Sequence, residues 1–145
     1  MIALDTNILI HAHRRDSQWH GVALDSVRAL AEGPGSWAIP WPCLHEFMAV
    51  VSHDRIFSTP TPLPQAAEQV NLWLESPGLV LLAETAGYWS VLTQVLERSK
   101  VTGPRIHDAR IAALVEVLHR PAEALEPRRE PEQRLPRQGC AADRR

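Results

Sequence analysis

Three carboxylates carry the chemistry this sequence could perform: Asp5 in LDTN, Glu46 in PCLHEF and Asp108 in RIHDAR. Each falls at a strand-to-helix junction or in the first turn of a helix. In open α/β sheets ligands bind outside the carboxyl ends of the strands, so junctions sharing that end bring the acids together. Bare convergence is unfavourable, because neighbouring carboxylates raise one another's pKa. A hard divalent cation reverses the sign: Mg²⁺ takes oxygen ligands at about 2.0–2.1 Å and keeps several waters. Such a site can activate water and clamp a phosphodiester for in-line displacement. Each acid taken alone also has an ordinary structural role. Asp5 is a favoured helix cap. Glu46 is a solvated first-turn acid suited to the helix dipole. Asp108 is a cap or first-turn acid, or the ion-pair partner of Arg105 or Arg110.

The elements that must position these acids follow from apolar periodicity. Residues 2–4 read as a short buried strand, and a helix follows Asp5 through Ile8, Leu9 and Ala12. Asp16-Ser17 predicts the N-cap of a second helix, which stops at Gly33-Pro34-Gly35. Trp37 to Ile39 reads as a second strand, kept short or at an edge by Pro40. Pro42 suits the first turn of a third helix, whose apolar stripe is Leu44, Phe47, Met48 and Val51. On a helical wheel Glu46 lies roughly 150° from the centre of that stripe, away from the main apolar contact. Three prolines make Phe57 to Pro64 a loop. Gln65 to Glu75 reads as a helix, with Ala66, Val70, Trp73 and Leu74 apolar. Leu79 to Leu82 forms a third strand. Thr85 is the expected cap of a helix bearing Trp89, Leu92, Val95 and Leu96, and Thr102-Gly103-Pro104 is a turn. The last helix runs from Ile106 to His119 with the stripe Ile111, Leu114, Val115 and Leu118, which leaves Asp108 half buried at the stripe's edge. Short strands separated by helices predict an α/β fold: a short parallel β-sheet flanked by α-helices.

A chain of 145 residues suggests one domain with a real core. Hydrophobic residues at 45% and charged residues at 22% are ordinary for a globular protein. No apolar run reaches the ~18 residues of a membrane span. Asp5 interrupts the stretch where a secretory signal would need its basic and apolar regions, so a cytoplasmic location is expected. A net charge of −2 excludes capture of nucleic acid by bulk electrostatics. A nucleic-acid role therefore needs local Arg or Lys, or a bound cation. Lys100 and Arg105, flanking the turn ahead of Asp108, are the expected phosphate contacts; a solvated charged turn is the alternative.

Composition divides the chain at Pro121. Residues 1–120 form the expected domain. Residues 121–145 carry four prolines and eleven charges against two leucines, too little apolar area to offset the entropy of ordering. This Pro/Arg/Glu-rich tail is expected to be disordered, with a helical turn near Ala122 to Leu125, and it supplies no further strand.

Other chemistry-bearing residues read as structural. His11 and His13 face about 200° apart on a helix and make poor co-ligands. His45, His53 and His119 read as surface residues, and His107 as a solvent-facing residue at a helix start. The five tryptophans could stack on bases, but most lie at core or interface spacings; Trp19 and Trp41 are the readiest to be exposed, and packing is the favoured reading for them too. Cys43 reads as a small core residue and Cys140 as an exposed thiol, too far apart in sequence for a metal or redox motif. There is no Gly-rich phosphate loop and no Ser/His/Asp nucleophile pattern. A haloacid-dehalogenase-type phosphatase would need a second Asp at position 7, which is Asn.

With these residues in place, MIALDTNILIHAH, IPWPCLHEFMAVVSHDRIF and TGPRIHDARIAAL resemble the PIN-domain family, specifically VapC-type ribonuclease toxins of type II toxin–antitoxin systems. The resemblance spans roughly residues 1–120. It implies a metal-dependent endoribonuclease using Mg²⁺, or Mn²⁺ in its place, that hydrolyses RNA phosphodiester bonds. Asp5, Glu46 and Asp108 match acids of the family's metal-binding cluster. Asn7 matches the family's asparagine, which is expected to orient a cluster carboxylate, and Thr6 is expected to act likewise. Members commonly form homodimers and are neutralised by a cognate antitoxin. The family pattern continues with an apolar strand, a further acid and a final strand, none of them legible in this tail. Glu123 and Glu126 are the nearest candidates for that acid. The sequence therefore also admits a second class of function, a degenerate non-catalytic PIN fold that only binds antitoxin.

Overall fold

The computed structural model describes residues 1–119. The expectations for 121–145, including its disorder, the turn near Ala122, Cys140, the acids Glu123 and Glu126 and the absence of final strands, lie outside the described residues.

Three strands, β1 (Ile2–Ala3), β2 (Trp37–Pro40) and β3 (Leu79–Leu82), pair in parallel in the order β1-β2-β3. Parallel neighbours need crossovers. The first is α1 (Thr6–His13) with α2 (His20–Glu32), and the second is α3 (Trp41–Val51) with α4 (Leu63–Leu74). After β3 come α5 (Tyr88–Ser99), a 3-10 turn (Gly103–Arg105) and α6 (Ile106–His119). The fold class is the α/β arrangement expected from the sequence.

Side chains alternate across a strand, and both faces of this sheet are covered. Leu4, Trp37, Ile39, Leu79 and Leu81 enter a core with α1 to α4, centred on Leu9, Leu44, Phe47, Val51 and Trp73. Ala3, Ala38, Val80 and Leu82 face a second core built by Tyr88, Val91, Leu92 and Val95 of α5 and Ala109, Ala113 and Leu114 of α6. Double-sided burial explains why the strands read as unbroken apolar runs.

The register corrects several expectations. β2 is short, as Pro40 predicts, but it is the central strand rather than an edge, and it includes Pro40. Leu4 N donates to Ala38 O at 2.9 Å, and Trp37 N donates to Gly78 O at 3.0 Å. Even-numbered residues of β2 thus address β1, which has ended before Pro40, so its missing N–H breaks no ladder bond. Residue 16 does not cap α2. Asp16 pairs with Arg14 at 2.6 Å, and the helix begins at His20 after a turn in which Ser17 Oγ accepts from Trp19 N at 3.1 Å. α4 starts at Leu63 rather than Gln65, because Pro64 is tolerated in a first helical turn.

α5 begins three residues after Thr85, with Gly87 as its N-cap in the left-handed region at φ 85°, a conformation suited to glycine. Trp89 is 70% exposed rather than packed. It joins Trp19 and Trp41 at the surface, while Trp37 and Trp73 are core. In α6 the buried residues are Ala109, Ala113 and Leu114, and Leu118 is exposed. Asp108 lies roughly 160° from the centre of that buried set and is exposed, not half buried. No helix among the described residues is long and apolar enough to cross a membrane.

Candidate active site at the carboxyl edge of the sheet

The parallel register puts the carboxyl ends of β1, β2 and β3 at one edge. Asp5 follows β1 there as the N-cap of α1, with extended backbone, and its Oδ1 accepts from Thr6 N at 2.6 Å. Asn7 Nδ2 donates to Asp5 Oδ2 at 3.3 Å, so both carboxylate oxygens are engaged. The capping role and the proximity to the other acids therefore coexist.

Thr6 ties this junction to the next one. It is 4% exposed, and its Oγ1 donates to Glu46 Oε2 at 2.7 Å across forty positions of sequence. Glu46 reaches it from α3, pointing away from Leu44, Phe47 and Val51 as the wheel predicts. Cys43 lies buried between them. Burial raises its thiol pKa, and the Asp5 and Glu46 carboxylates push the same way while Thr6 opposes. This is an unreactive core thiol that both acids flank.

Asp108 joins Glu46 across a cavity of about 610 Å³. Its walls come from α3 (Pro42, His45, Glu46), the 3-10 turn (Arg105) and α6 (His107, Asp108, Arg110, Ile111). The structure thus brings Glu46 and Asp108 to one cavity and links Asp5 to Glu46 through Thr6. Asp5 itself stands outside the cavity lining. Among the described residues, no three His, Cys, Asp or Glu side chains gather closely enough to enclose one ion.

The two expected phosphate contacts separate. Arg105 lines the cavity, whereas Lys100 caps α5 in the left-handed region at φ 50°, outside that lining. Neither arginine pairs with Asp108. Arg110 turns instead to Glu84, two residues beyond β3, with Nε donating to Oε1 at 2.8 Å and Nη2 2.7 Å from the same oxygen. Next to this pair the Tyr88 hydroxyl is buried without a hydrogen bond of acceptable geometry. Burial raises its pKa, Glu84 adds to the rise, and Arg110 opposes it. Sequence reasoning missed Glu84, although the rule that singles out Asp5, an acid just past the carboxyl end of a strand, applies to it equally. His45 is exposed as expected, its ring centroid 5.8 Å from that of Trp41 and tilted by 33°, and it also borders the cavity.

A second cavity, about 770 Å³, lies at the far end of α1. There His13 Nε2 meets Thr61 Oγ1 at 3.2 Å, and its Nδ1 meets Gln69 Oε1 at 3.5 Å. His11 pairs with Ser17 at 2.8 Å, so the two histidines serve different contacts, as their opposed positions predict.

A short parallel sheet covered by helices, with acids collected at its carboxyl edge, is a PIN-like arrangement. No family model matches the chain. Ribonuclease VapC48 of Mycobacterium tuberculosis is 29% identical over 111 residues, which cover 77% of each chain. Ribonuclease VapC43 of the same species and VapC ribonuclease Mb2897 of Mycobacterium bovis are each 29% identical over 113 residues, 78% of this chain and 77% of theirs. The resemblance to VapC-type ribonucleases carried by the LDTN, HEF and HDAR motifs therefore extends over about three quarters of the chain.

Proposed function

We propose that this chain is a metal-dependent endoribonuclease toxin that hydrolyses RNA phosphodiester bonds in the cytoplasm and is neutralised by a cognate antitoxin. The observation that carries the reading is the shared cavity: Glu46 and Asp108, from helices on opposite faces of the sheet, meet there, and relatives named ribonucleases match the chain. The donors are all carboxylate oxygens, which suit a hard ion such as Mg²⁺ or Mn²⁺ rather than zinc. Mg²⁺ commonly binds through one or two carboxylates and keeps its waters, so Glu46 and Asp108 fit it without a full protein cage. When bound there, the ion supplies the positive charge and Lewis acidity that let water attack a phosphodiester beside two carboxylates.

The chain's own residues do the positioning. Thr6 donates to Glu46 and fixes one of its carboxylate oxygens. Asn7 and Thr6 N anchor Asp5 at the same edge. Arg105 adds a cation to a cavity that two acids would otherwise make repulsive to a polyanion. A second reading, a PIN fold that only binds antitoxin, draws on the position of Asp5 outside the cavity lining.

One assay separates the two readings. Purified chain is incubated with RNA and Mg²⁺ or Mn²⁺, with EDTA and Asp5→Asn as controls. Metal-dependent cutting that EDTA abolishes and Asp5→Asn weakens is expected. Cutting that survives both controls overturns the mechanism. Failure of a well-folded chain to cut any RNA, alongside tight antitoxin binding, establishes the second reading.

A further inference from the structure

We propose that Arg110 is the phosphate-binding side chain of the Glu46–Asp108 cavity and that Glu84 is the residue that positions it there. This rests on the reading that RNA is the substrate. The cavity presents two carboxylates to its ligand. A polyanion approaching them needs cations whose placement does not depend on chance rotamers, because ordering a long side chain at the moment of binding costs affinity. Arg105 sits in an exposed 3-10 turn. Arg110 is different: it springs from α6, is half-buried, lines the same cavity, and is already ordered by an ion pair.

The geometry of that pair matters. Nε and Nη2 form one edge of the guanidinium, and both face a single oxygen, Glu84 Oε1. Nη1 takes no part in the pair with Glu84. A guanidinium held by its inner edge presents the outer one in a fixed plane, the arrangement that suits a phosphate's paired oxygens. Glu84 stands two residues past the end of β3. Tyr88 closes the underside, buried and close enough to Glu84 and Arg110 to feel both charges. The ion pair lies at the surface, with side chains 40% and 49% exposed, and exposed pairs contribute little to stability. Removing it therefore leaves the fold intact, which makes the positioning role testable.

The test is equilibrium binding of a labelled, mixed-sequence single-stranded RNA in EDTA, so that no cleavage occurs, repeated over a series of salt concentrations. Arg110→Ala is expected to weaken binding about tenfold and to reduce the slope of log K against log salt by about 0.7, the loss of one phosphate contact. Arg110→Lys is expected to restore the slope but only part of the affinity, because a point charge replaces the fork. Glu84→Gln is expected to weaken binding severalfold in the wild-type background and not at all in the Arg110→Ala background. Matching melting curves exclude unfolding. Unchanged affinity and slope in Arg110→Ala overturn the phosphate role. An equal effect of Glu84→Gln in both backgrounds overturns the positioning role. RNA binding by wild-type chain without metal-dependent cutting defeats the ribonuclease reading alone, whereas normal cutting by Arg110→Ala defeats this proposal alone.

Discussion

The two faces of the sheet are built differently, and the candidate site lies where they meet. Trp37, Ile39, Phe47 and Trp73 fill one face with large side chains, and Phe47 packs edge-on to both His13 and Trp73 at 5.3 and 4.9 Å. The other face is lined by Ala38, Ala109 and Ala113 with mid-sized aliphatics, and among the described residues its Tyr88 hydroxyl has no well-formed hydrogen bond. Asp5 and Glu46 belong to helices of the first face and Asp108 to a helix of the second. Ile111 of α6 packs against the first core from across the edge. The geometry of the candidate site at such an edge depends on both layers, and the second layer has less apolar bulk fixing it.

The sharpest way to break this comparison is truncation in each core. Phe47→Ala is expected to cost about 3–5 kcal/mol and Leu114→Ala about 2–3 kcal/mol, measured by urea unfolding of each variant. A Leu114→Ala cost at or above that of Phe47→Ala would reverse the ranking of the faces. Next in size is Asp108→Asn, expected to lower RNA cleavage at least about 100-fold while stability stays within about 0.5 kcal/mol, because the side chain is exposed. Single-turnover cleavage and a thermal melt check the two halves.

Thr6→Val tests the link between the junctions. It removes the bond to Glu46, with an expected stability loss of about 1 kcal/mol and a cleavage loss of about tenfold. A variant with full activity would show that Glu46 needs no such anchor. The smallest effect concerns pH. Burial lowers the His13 pKa from the usual 6.5; Arg14 and His20 push the same way, and Gln69 opposes them. The unfolded chain therefore binds this proton more readily than the folded one. The stability contributed by neutral His13 is present above pH 6.5 and is lost as pH falls through the lowered native value. Denaturant midpoints measured across that window should fall with pH in wild type and fall less in His13→Gln.

Much of this was legible in the residues themselves. The three strands, the α/β class, the first turn at Pro42, the outward aim of Glu46 and the span of α6 all follow from local periodicity and backbone chemistry. These depend on neighbours within a turn or two, and the sequence states those neighbours directly. The errors share a cause. Pro40 predicts a strand that is short or at an edge; β2 is short, and its central place becomes clear only once β1 is seen to stop before Pro40. Asp16 reads as a cap until Arg14 takes its carboxylate. Trp89 and Leu118 read as core until the partners on their side are seen to leave them exposed. Asp108 reads as half buried because α6 was given one apolar stripe, whereas it packs Ala109, Ala113 and Leu114 toward one core and Ile111 toward the other.

The sequence by itself determined that Asp5 sits at a strand end, Asp108 at a helix start and Glu46 within α3, since those are local events. Tertiary structure alone decided the contacts around them: Thr6 reaching Glu46, Glu46 and Asp108 walling one cavity, and Arg110 turning to Glu84 instead of Asp108. Those contacts join residues twenty-six to sixty-two positions apart, and only the packing of the two helical layers about the parallel sheet sets their distances.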